Sequence, residues 1–137
     1  MTLTRRDALR QIPAAALAAT ALRSAQAAPS RRTIVLRSSW QTVNIGDIGH
    51  TPGILALFEK HLPDVDIILW PNAVDRGVEP MLRRRFPRLQ IAQGKTDAPE
   101  VKAAFARADL LVHGSGPSVV GARQLAEWRT RTAKPYG

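Results

Sequence analysis

The stretch Thr33-Ile34-Val35-Leu36 opens the part of the chain that decides the fold. This short run is apolar and rich in β-branched residues, a pattern that indicates a buried strand. The loop Ser38–His50 follows, and beyond it apolar residues recur at helical spacing, at Ile54, Leu55, Phe58 and Leu62. The stretch therefore predicts one strand followed by one helix, which is the repeating unit of a parallel α/β sheet.

Residues with strong positional preferences mark the ends of this first helix. Thr51 has the side chain of an N-cap, and Pro52 suits the first helical position. Pro63 cannot continue a helix, so we expect the helix to end just before it. His50 would then precede the helix, and we interpret it as a packing or capping residue rather than an acid catalyst.

The same alternation continues along the rest of the chain. Three further apolar runs predict strands, at Asp66–Trp70, Leu89–Ala92 and Asp109–His113. Helical patterns follow each of them, at Val78–Phe86, at Asp97–Ala108 (where Asp97 and Glu100 have capping-box spacing) and, after a glycine-rich turn, as far as about Arg131. These four units predict a Rossmann-like α/β fold, an open parallel sheet of about four strands with helices on both faces.

Two loops of unusual composition are expected at one edge of this sheet. Right-handed crossovers place the carboxyl end of every parallel strand at the same edge, where ligands of such sheets bind. The loops Ser38–His50 and Gly114–Ser118 follow the first and the fourth strand. The candidate ligand-binding residues in them are Asn44, Gly46, Asp47, Gly114, Ser115, Gly116 and Ser118.

The chemistry of these loops suits a polar ligand. Asn44 and Asp47 can bind sugar hydroxyls, or they can hydrogen-bond the backbone of their own loop. The turn Gly114-Ser115-Gly116 precedes a helix, where free amides and the helix dipole favour an anion or an oxygen-rich ligand. The spacing is neither G-x-G-x-x-G nor that of a Walker loop or a serine nucleophile elbow, which argues against those activities.

The composition is that of one folded domain. A chain of 137 residues holds at most one ordinary domain, and 45% hydrophobic with 23% charged residues argues against wholesale disorder. The absence of cysteine excludes disulfides and thiol chemistry, and His61 and His113 lack metal-ligand spacing, so we predict neither metal nor cofactor. No apolar run reaches the roughly 18 residues of a membrane-spanning helix.

Residues 1–27 are predicted to be an export signal. The pair Arg5-Arg6 lies in a positive segment, Ile12–Leu22 is short and alanine-rich, and Ala25-Gln26-Ala27 suits signal peptidase. The arginine pair followed by Leu9 resembles a twin-arginine signal, which predicts a periplasmic or extracellular protein and the twin-arginine translocation machinery as a partner. The alternative is an amphipathic N-terminal helix of a cytoplasmic protein.

The chain is strongly basic, with a formal net charge of +9. The densest cluster is Arg83-Arg84-Arg85 followed by Arg88, which is either a patch for nucleic acid or a surface polymer, or a solvated helix end. Aromatic residues make up only 5% of the chain and supply few stacking platforms, which argues against nucleic acid as the partner.

Three motifs occur together in this chain: the Asn44-x-Gly46-Asp47 loop, Ala108-Asp109 before the strand Leu110–Val112, and Gly114-Ser115-Gly116 after it. In their order and spacing, residues 33–137 resemble the N-terminal portion of the polysaccharide pyruvyl transferase family. The closing Lys134-Pro135-Tyr136-Gly137 resembles the entry to the next strand of that family. Ser115 departs from a third glycine that many members carry.

The resemblance implies two Rossmann-like halves arranged as in GT-B glycosyltransferases, with the active site between them. Enzymes of the family transfer a pyruvyl group from phosphoenolpyruvate to two hydroxyls of a sugar as a cyclic ketal, so the implied partners are phosphoenolpyruvate and a cell-surface polysaccharide. The catalytic groups are expected mainly in the C-terminal half. The resemblance therefore implies that 33–137 is a truncated domain that is inactive alone, preceded by the predicted signal peptide at 1–27 and a linker at 28–32.

The predicted export and the implied donor are in tension, because phosphoenolpyruvate is a cytoplasmic metabolite. Three interpretations stay open at this point. The chain is the acceptor-side part of a pyruvyl transferase-like enzyme, an exported module that binds a sugar or anion without catalysis, or a basic binder of nucleic acid or surface polymer through Arg83–Arg88.

Overall fold

The computed structural model describes residues 31–114 and 120–137. Strands and helices alternate along the chain, as the sequence predicts. In chain order the elements are β1 (Thr33–Ser38), α1 (Ile45–His61), β2 (Asp66–Pro71), α2 (Val78–Arg85), β3 (Gln90–Ile91), α3 (Pro99–Arg107), β4 (Leu110–His113) and α4 (Ala122–Thr132). The prediction of a Rossmann-like α/β fold with a four-stranded open sheet is confirmed.

The sheet is entirely parallel and has the strand order β3-β2-β1-β4. β1 is central and pairs along its whole length with β2, while β4 pairs with its other side. The strand order reverses between β1 and β4, which is where open α/β sheets form their ligand crevice. Tyr136 adds a single parallel bridge to Leu111, in line with the predicted entry of Lys134–Gly137 into a further strand.

Two apolar clusters form the core, one on each face of the sheet. Adjacent residues of β1 point to opposite faces, so Val35 belongs to the cluster under α3 and α4 and Leu36 to the cluster under α1 and α2. Under α3 and α4, Phe105 packs edge-on against Trp70 and Trp128 with ring centroids 5.3 and 4.9 Å apart. Helices therefore cover both faces, as expected of a doubly wound sheet.

The first helix begins seven residues earlier than the sequence predicts. Asn44 is its N-cap, and the Asn44 Oδ1 accepts a hydrogen bond from the Gly46 N–H at 2.9 Å. The predicted start at Thr51 is wrong because the Asn44 cap and the first backbone bond, from Ile48 N–H to the Asn44 carbonyl, already establish the helix. His50 consequently lies within α1 and is exposed.

Tertiary contact explains why α1 continues through Pro52. Thr51 is buried, and its hydroxyl lies 2.8 Å from the Ser38 hydroxyl at the end of β1. This bond ties the middle of the helix to the sheet. A proline inside a helix removes one backbone hydrogen bond, and the contact with Ser38 is among the interactions that offset that loss.

The predicted capping box of the third helix is also wrong. α3 begins at Pro99 with Ala98 in the N-cap position and without a side-chain cap. The Glu100 carboxylate instead accepts a hydrogen bond from the Gln93 N–H at 3.0 Å, so it braces the turn after β3. β3 itself has two residues, fewer than the predicted strand Leu89–Ala92.

The compact unit that contains the sheet begins at Arg31. The Arg31 side chain donates hydrogen bonds to the carbonyls of Pro63 and Asp64, in the turn before β2. The predicted signal at 1–27 and residues 28–30 of the predicted linker lie outside the described residues. Within the described ranges, no helix has both the length and the hydropathy needed to cross a bilayer.

Candidate functional site

The carboxyl ends of β1, β2 and β4 meet at one edge of the sheet. Arg37 of β1 is in register with Trp70 on one side and with His113 on the other. These three residues point to the face covered by α3 and α4. The edge therefore carries a cation, an indole and an imidazole in one row across three strands.

Arg37 is the most unusual of the three, because its side chain is charged and only 4% exposed. The guanidinium lies between two indole rings, 4.6 Å from the ring centroids of both Trp40 and Trp70. Nη1 donates to the Trp70 carbonyl at 2.9 Å, and Nε has no acceptor among the described residues. Burial lowers the pKa of Arg37 to about 10, so the group stays cationic at neutral pH.

His113 lies beside Arg37 on the neighbouring strand β4 and contacts Trp40. Its ring centroid lies 5.1 Å from that of Trp40, and its Nε2 accepts a hydrogen bond from the Gly121 N–H at 3.2 Å. Burial lowers the pKa of His113, the charge on Arg37 lowers it further, and a backbone hydrogen bond at Gly114 opposes them. The imidazole is therefore neutral near pH 7, which suits its role as an acceptor.

Gly114, the first residue of the predicted ligand turn, packs against β1. Its N–H donates to the Arg37 carbonyl at 2.8 Å, so this amide is already occupied within the protein. A Cβ at position 114 would approach the Ser38 Oγ to 2.5 Å. Glycine is thus required here by its close packing against Ser38, whatever its relation to a ligand.

The other predicted site residues divide into two groups. Asn44 and Gly46 bond to one another at the start of α1, and Asp47 is half-buried in the first turn of that helix. Ser115, Gly116 and Ser118 lie outside the described residues. The segments that follow β1 and β4 emerge at the same edge because the two strands are parallel neighbours.

Hydrogen bonds at Ser39, a residue with a strained backbone, fix the loop after β1. Ser39 has a positive φ of 64° although it is not glycine. Its carbonyl accepts hydrogen bonds from the N–H groups of Asn72 and Ala73, both at 3.0 Å, and its hydroxyl donates to the Ala73 carbonyl. These three bonds fix the path of the chain from Arg37 to Trp40 and offset the backbone strain.

Sequence reasoning missed the row of Arg37, Trp70 and His113 as a unit. A signal for it was present, because Arg37 directly continues an apolar strand and Trp40 follows three residues later. A charged residue at a buried strand end needs partners, which makes such a position a candidate for function. The register that brings Trp70 and His113 beside it is a property of the sheet alone.

The arginine cluster near α2 is largely paired with carboxylates. Arg83 pairs with Glu79 at 2.8 Å, Arg85 pairs with Glu59 at 2.9 Å, and Arg88 lies 3.3 Å from Asp66. These pairs neutralise most of the charge that a polyanion would contact, so the surface has the character of a solvated helix end. Among the described residues, no group of three or more His, Asp or Glu side chains could hold a metal ion.

Comparison with protein-family models, with curated proteins and with solved structures found no match for this chain.

Proposed function

We propose that residues 33–137 are the acceptor-side part of a polysaccharide pyruvyl transferase-like protein. In this proposal the domain holds a sugar of a surface polysaccharide at the edge where the start of α1 and the turn after β4 meet. Pyruvyl transfer from phosphoenolpyruvate requires groups from a second α/β half. The domain alone binds the acceptor and does not turn it over.

The observation that carries this proposal is the reversal of strand order between β1 and β4. The crevice at such a point is the usual ligand site of open parallel sheets. At this point the chain places the Asp47 carboxylate, in the first turn of α1, at the same edge as Gly114. A carboxylate is a suitable acceptor for the hydroxyl groups of a sugar.

Exposed apolar side chains at this edge also support the proposal. Ile45, in the first turn of α1, is 82% exposed, and Val43 and Val120 beside the two crevice loops are exposed as well. Exposed aliphatic side chains of this size at a ligand edge are available for contact with another domain. A second half closing over the crevice would cover them.

Binding of an acceptor saccharide to the full chain tests the proposal. We expect saturable binding of oligosaccharides from a bacterial surface polysaccharide in calorimetry, weakened about tenfold by Asp47→Ala, since a hydrogen bond to a charged group contributes about 1.5–3 kcal/mol. Asp64→Ala is the matched control, because Asp64 is exposed in the turn before β2, at the opposite edge. Equal effects of the two variants, or no saturable binding, would contradict the proposal.

Catalysis is tested separately with phosphoenolpyruvate and the same oligosaccharides. We expect no phosphate release and no ketal methyl signal in NMR spectra from this chain alone. Transfer by the chain alone would overturn the view that a second half supplies the catalytic groups.

A non-catalytic, exported sugar- or anion-binding module is the second candidate function. The bonding of His113 favours it, because Nε2 already accepts a hydrogen bond from the Gly121 N–H and therefore carries no proton to transfer to a ligand. This candidate requires neither phosphoenolpyruvate nor a second half. Saccharide binding that is unchanged by phosphoenolpyruvate, together with secretion of this chain as the mature protein, would favour it over the first.

Export is part of both candidates and is tested with a reporter. Residues 1–27 fused to a fluorescent protein that folds before translocation should direct it to the periplasm. Replacing Arg5 and Arg6 together by lysine should retain the reporter in the cytoplasm, because the twin-arginine route reads the arginine pair rather than the charge. Unchanged export of that variant would exclude this route.

A further inference from the structure

A second cleft lies beside the crevice, on the face of the sheet covered by α4. Its volume is about 390 Å³, which is in the range of sites for small molecules. The end of β2 forms its floor, the turn after β3 forms one wall, and the first turn of α4 forms the other. It is lined by Arg37, Trp70, Pro71, Asn72, Gly94, Lys95, Thr96, Arg123 and Gln124.

Three cationic side chains line this cleft, and none of the described residues lining it is acidic. Lys95 and Arg123 are exposed at its rim, whereas Arg37 is buried at its base. Arg123 is partly neutralised by Glu127, whose Oε1 lies 3.3 Å from the Arg123 Nε. Lys95 and Arg37 form no ion pair with the described residues.

The buried arginine is the feature that points to a ligand. A guanidinium removed from water carries a large desolvation penalty unless an anion or hydrogen-bond acceptors compensate it. Arg37 has one acceptor, the Trp70 carbonyl, and the two indole faces, while its Nε has none among the described residues. An oxyanion in the cleft would supply the missing negative charge.

The walls of the cleft are fixed before any ligand binds. The Trp70 Nε1 donates to the Gly94 carbonyl at 2.9 Å, and the Arg131 Nη1 donates to the Thr96 carbonyl at 3.1 Å. Gly94 has a φ of 113°, and a Cβ there would come 2.7 Å from the Ala98 Cβ, so only glycine allows this turn. A preformed wall lowers the entropy cost of binding.

The N-terminus of α4 adds an electrostatic field that favours an anion in the cleft. This helix has eleven residues, no acidic residue in its first turn, and Arg123 and Gln124 directed to the cleft. The partial positive charge at a helix N-terminus stabilises an anion beside it. The helix dipole therefore acts in the same direction as Arg37 and Lys95.

We propose that this cleft binds the oxyanion group, a phosphate ester or a carboxylate, of a ligand about the size of a sugar phosphate. Arg37 contacts the oxyanion from the base of the cleft and Lys95 contacts it from the rim. Asn72 and Gln124 line part of the remainder and can bond the hydroxyl groups of the ligand. The inference goes beyond the proposed function, because it uses neither Asp47 nor Gly114.

The test measures binding to the full chain at low ionic strength, by calorimetry and by tryptophan fluorescence. The probes are inorganic phosphate, glucose 6-phosphate and glucuronate, with glucose as the neutral control. We expect saturable binding of the anionic probes in the millimolar range or below and no binding of glucose. Trp70 lines the cleft, so its fluorescence should change in parallel. The order of affinity among the probes distinguishes a phosphate ligand from a carboxylate ligand.

Single substitutions distinguish binding in this cleft from non-specific attraction of anions to a basic protein. Lys95→Gln should weaken phosphate-ester binding about tenfold, whereas Lys102→Gln, an exposed lysine on α3, should leave it unchanged. Arg37→Lys, which keeps the charge but loses the planar fork, should abolish saturable binding. If Arg37→Lys fails to fold, Lys95→Gln still decides the question.

Three outcomes would overturn the inference: no saturable binding of any anionic probe, equal loss in the Lys95 and Lys102 variants, or equal binding of glucose. Failure here is distinguishable from failure of the proposed function. Asp47→Ala should leave phosphate binding intact, and Lys95→Gln should leave binding of a neutral saccharide intact.

Discussion

Gly114 lies directly against Ser38, where β4 leaves the sheet beside the end of β1. A Cβ at position 114 would come within 2.6 Å of the Ser38 Cβ and 3.2 Å of the Arg37 carbonyl oxygen. Ser38 cannot retreat freely, because its hydroxyl bonds that of Thr51 in α1. The close contact of these two residues therefore leaves no room for a side chain at position 114, at the point where the strand order reverses.

Substitution of this glycine tests the contact. Gly114→Ala should lower the free energy of unfolding by about 1–3 kcal/mol, because an added methyl group must displace packed atoms. Gly53→Ala is the matched control: that glycine lies within α1 with nothing within 4 Å of an added Cβ, so alanine should stabilise the helix by up to about 1 kcal/mol. Urea unfolding measures the free energy of unfolding of both variants. Similar values for the two would show that Gly114 is not closely packed against Ser38.

The start of α1 at Asn44 gives a second prediction. Asn44→Ala should destabilise the protein by about 1 kcal/mol, since it removes the side chain that accepts the Gly46 N–H, while Asn44→Ser should retain most of the stability. Thermal unfolding followed by circular dichroism provides the measurement. A neutral Asn44→Ala variant would indicate that the helix begins later, near Thr51.

Lys134 caps the end of α3, which gives a third prediction. Its Nζ donates to the carbonyls of Phe105, Ala106 and Ala108 at 3.2, 3.1 and 2.6 Å. Lys134→Met should cost about 1–3 kcal/mol in urea unfolding, because three carbonyl oxygens at a helix end lose a charged donor. Lys102→Met, on the exposed side of the same helix, should change the stability by less than about 0.5 kcal/mol. Equal effects would contradict the capping role.

His113 makes stability depend on pH. The folded protein lowers the pKa of this imidazole below its ordinary value of 6.5, so the unfolded chain binds the proton more tightly. The stabilisation is therefore fully present above pH 6.5 and is lost progressively as the pH falls from 6.5 toward the lowered pKa of the folded state.

Urea unfolding from about pH 8 to about pH 5 measures this effect. We expect the free energy of unfolding of the wild-type protein to decrease below pH 6.5 more steeply than that of His113→Gln, whose amide oxygen can accept from Gly121 without titrating. Identical pH profiles of the two proteins would exclude His113 as the source.

Local sequence patterns predicted the elements that are long or strongly apolar. β1, β2 and β4 lie within one or two residues of the predicted ranges, because their apolar runs are bounded by proline, glycine or charged residues. The range of α2 was also predicted to within one residue, although that helix is short and basic. β3 is shorter than predicted because only Gln90 and Ile91 pair with β2. The starts of α1 and α3 were predicted wrongly, because Thr51-Pro52 and Asp97 are locally favourable places to begin a helix and contacts elsewhere in the chain override that preference.

The candidate site was predictable only in part. Asn44, Asp47 and Gly114 could be placed at one edge, because parallel strands expose their carboxyl ends together. The sequence did not distinguish capping from ligand binding at Asn44, since one amide oxygen serves either purpose. No single motif predicted the cleft above Arg37, because its walls come from segments that are far apart in the chain.

The sequence by itself determined the alternation of strands and helices, and with it the parallel sheet, since apolar periodicity is a local property of consecutive residues. Only the tertiary structure decided which strands are neighbours and in which register they pair. That register places Arg37 between Trp70 and His113 and brings Lys95 and Arg123 to the same cleft. This register is set by hydrogen bonding between strands and by the burial of side chains from distant segments. Neither of these is encoded in a short stretch of sequence.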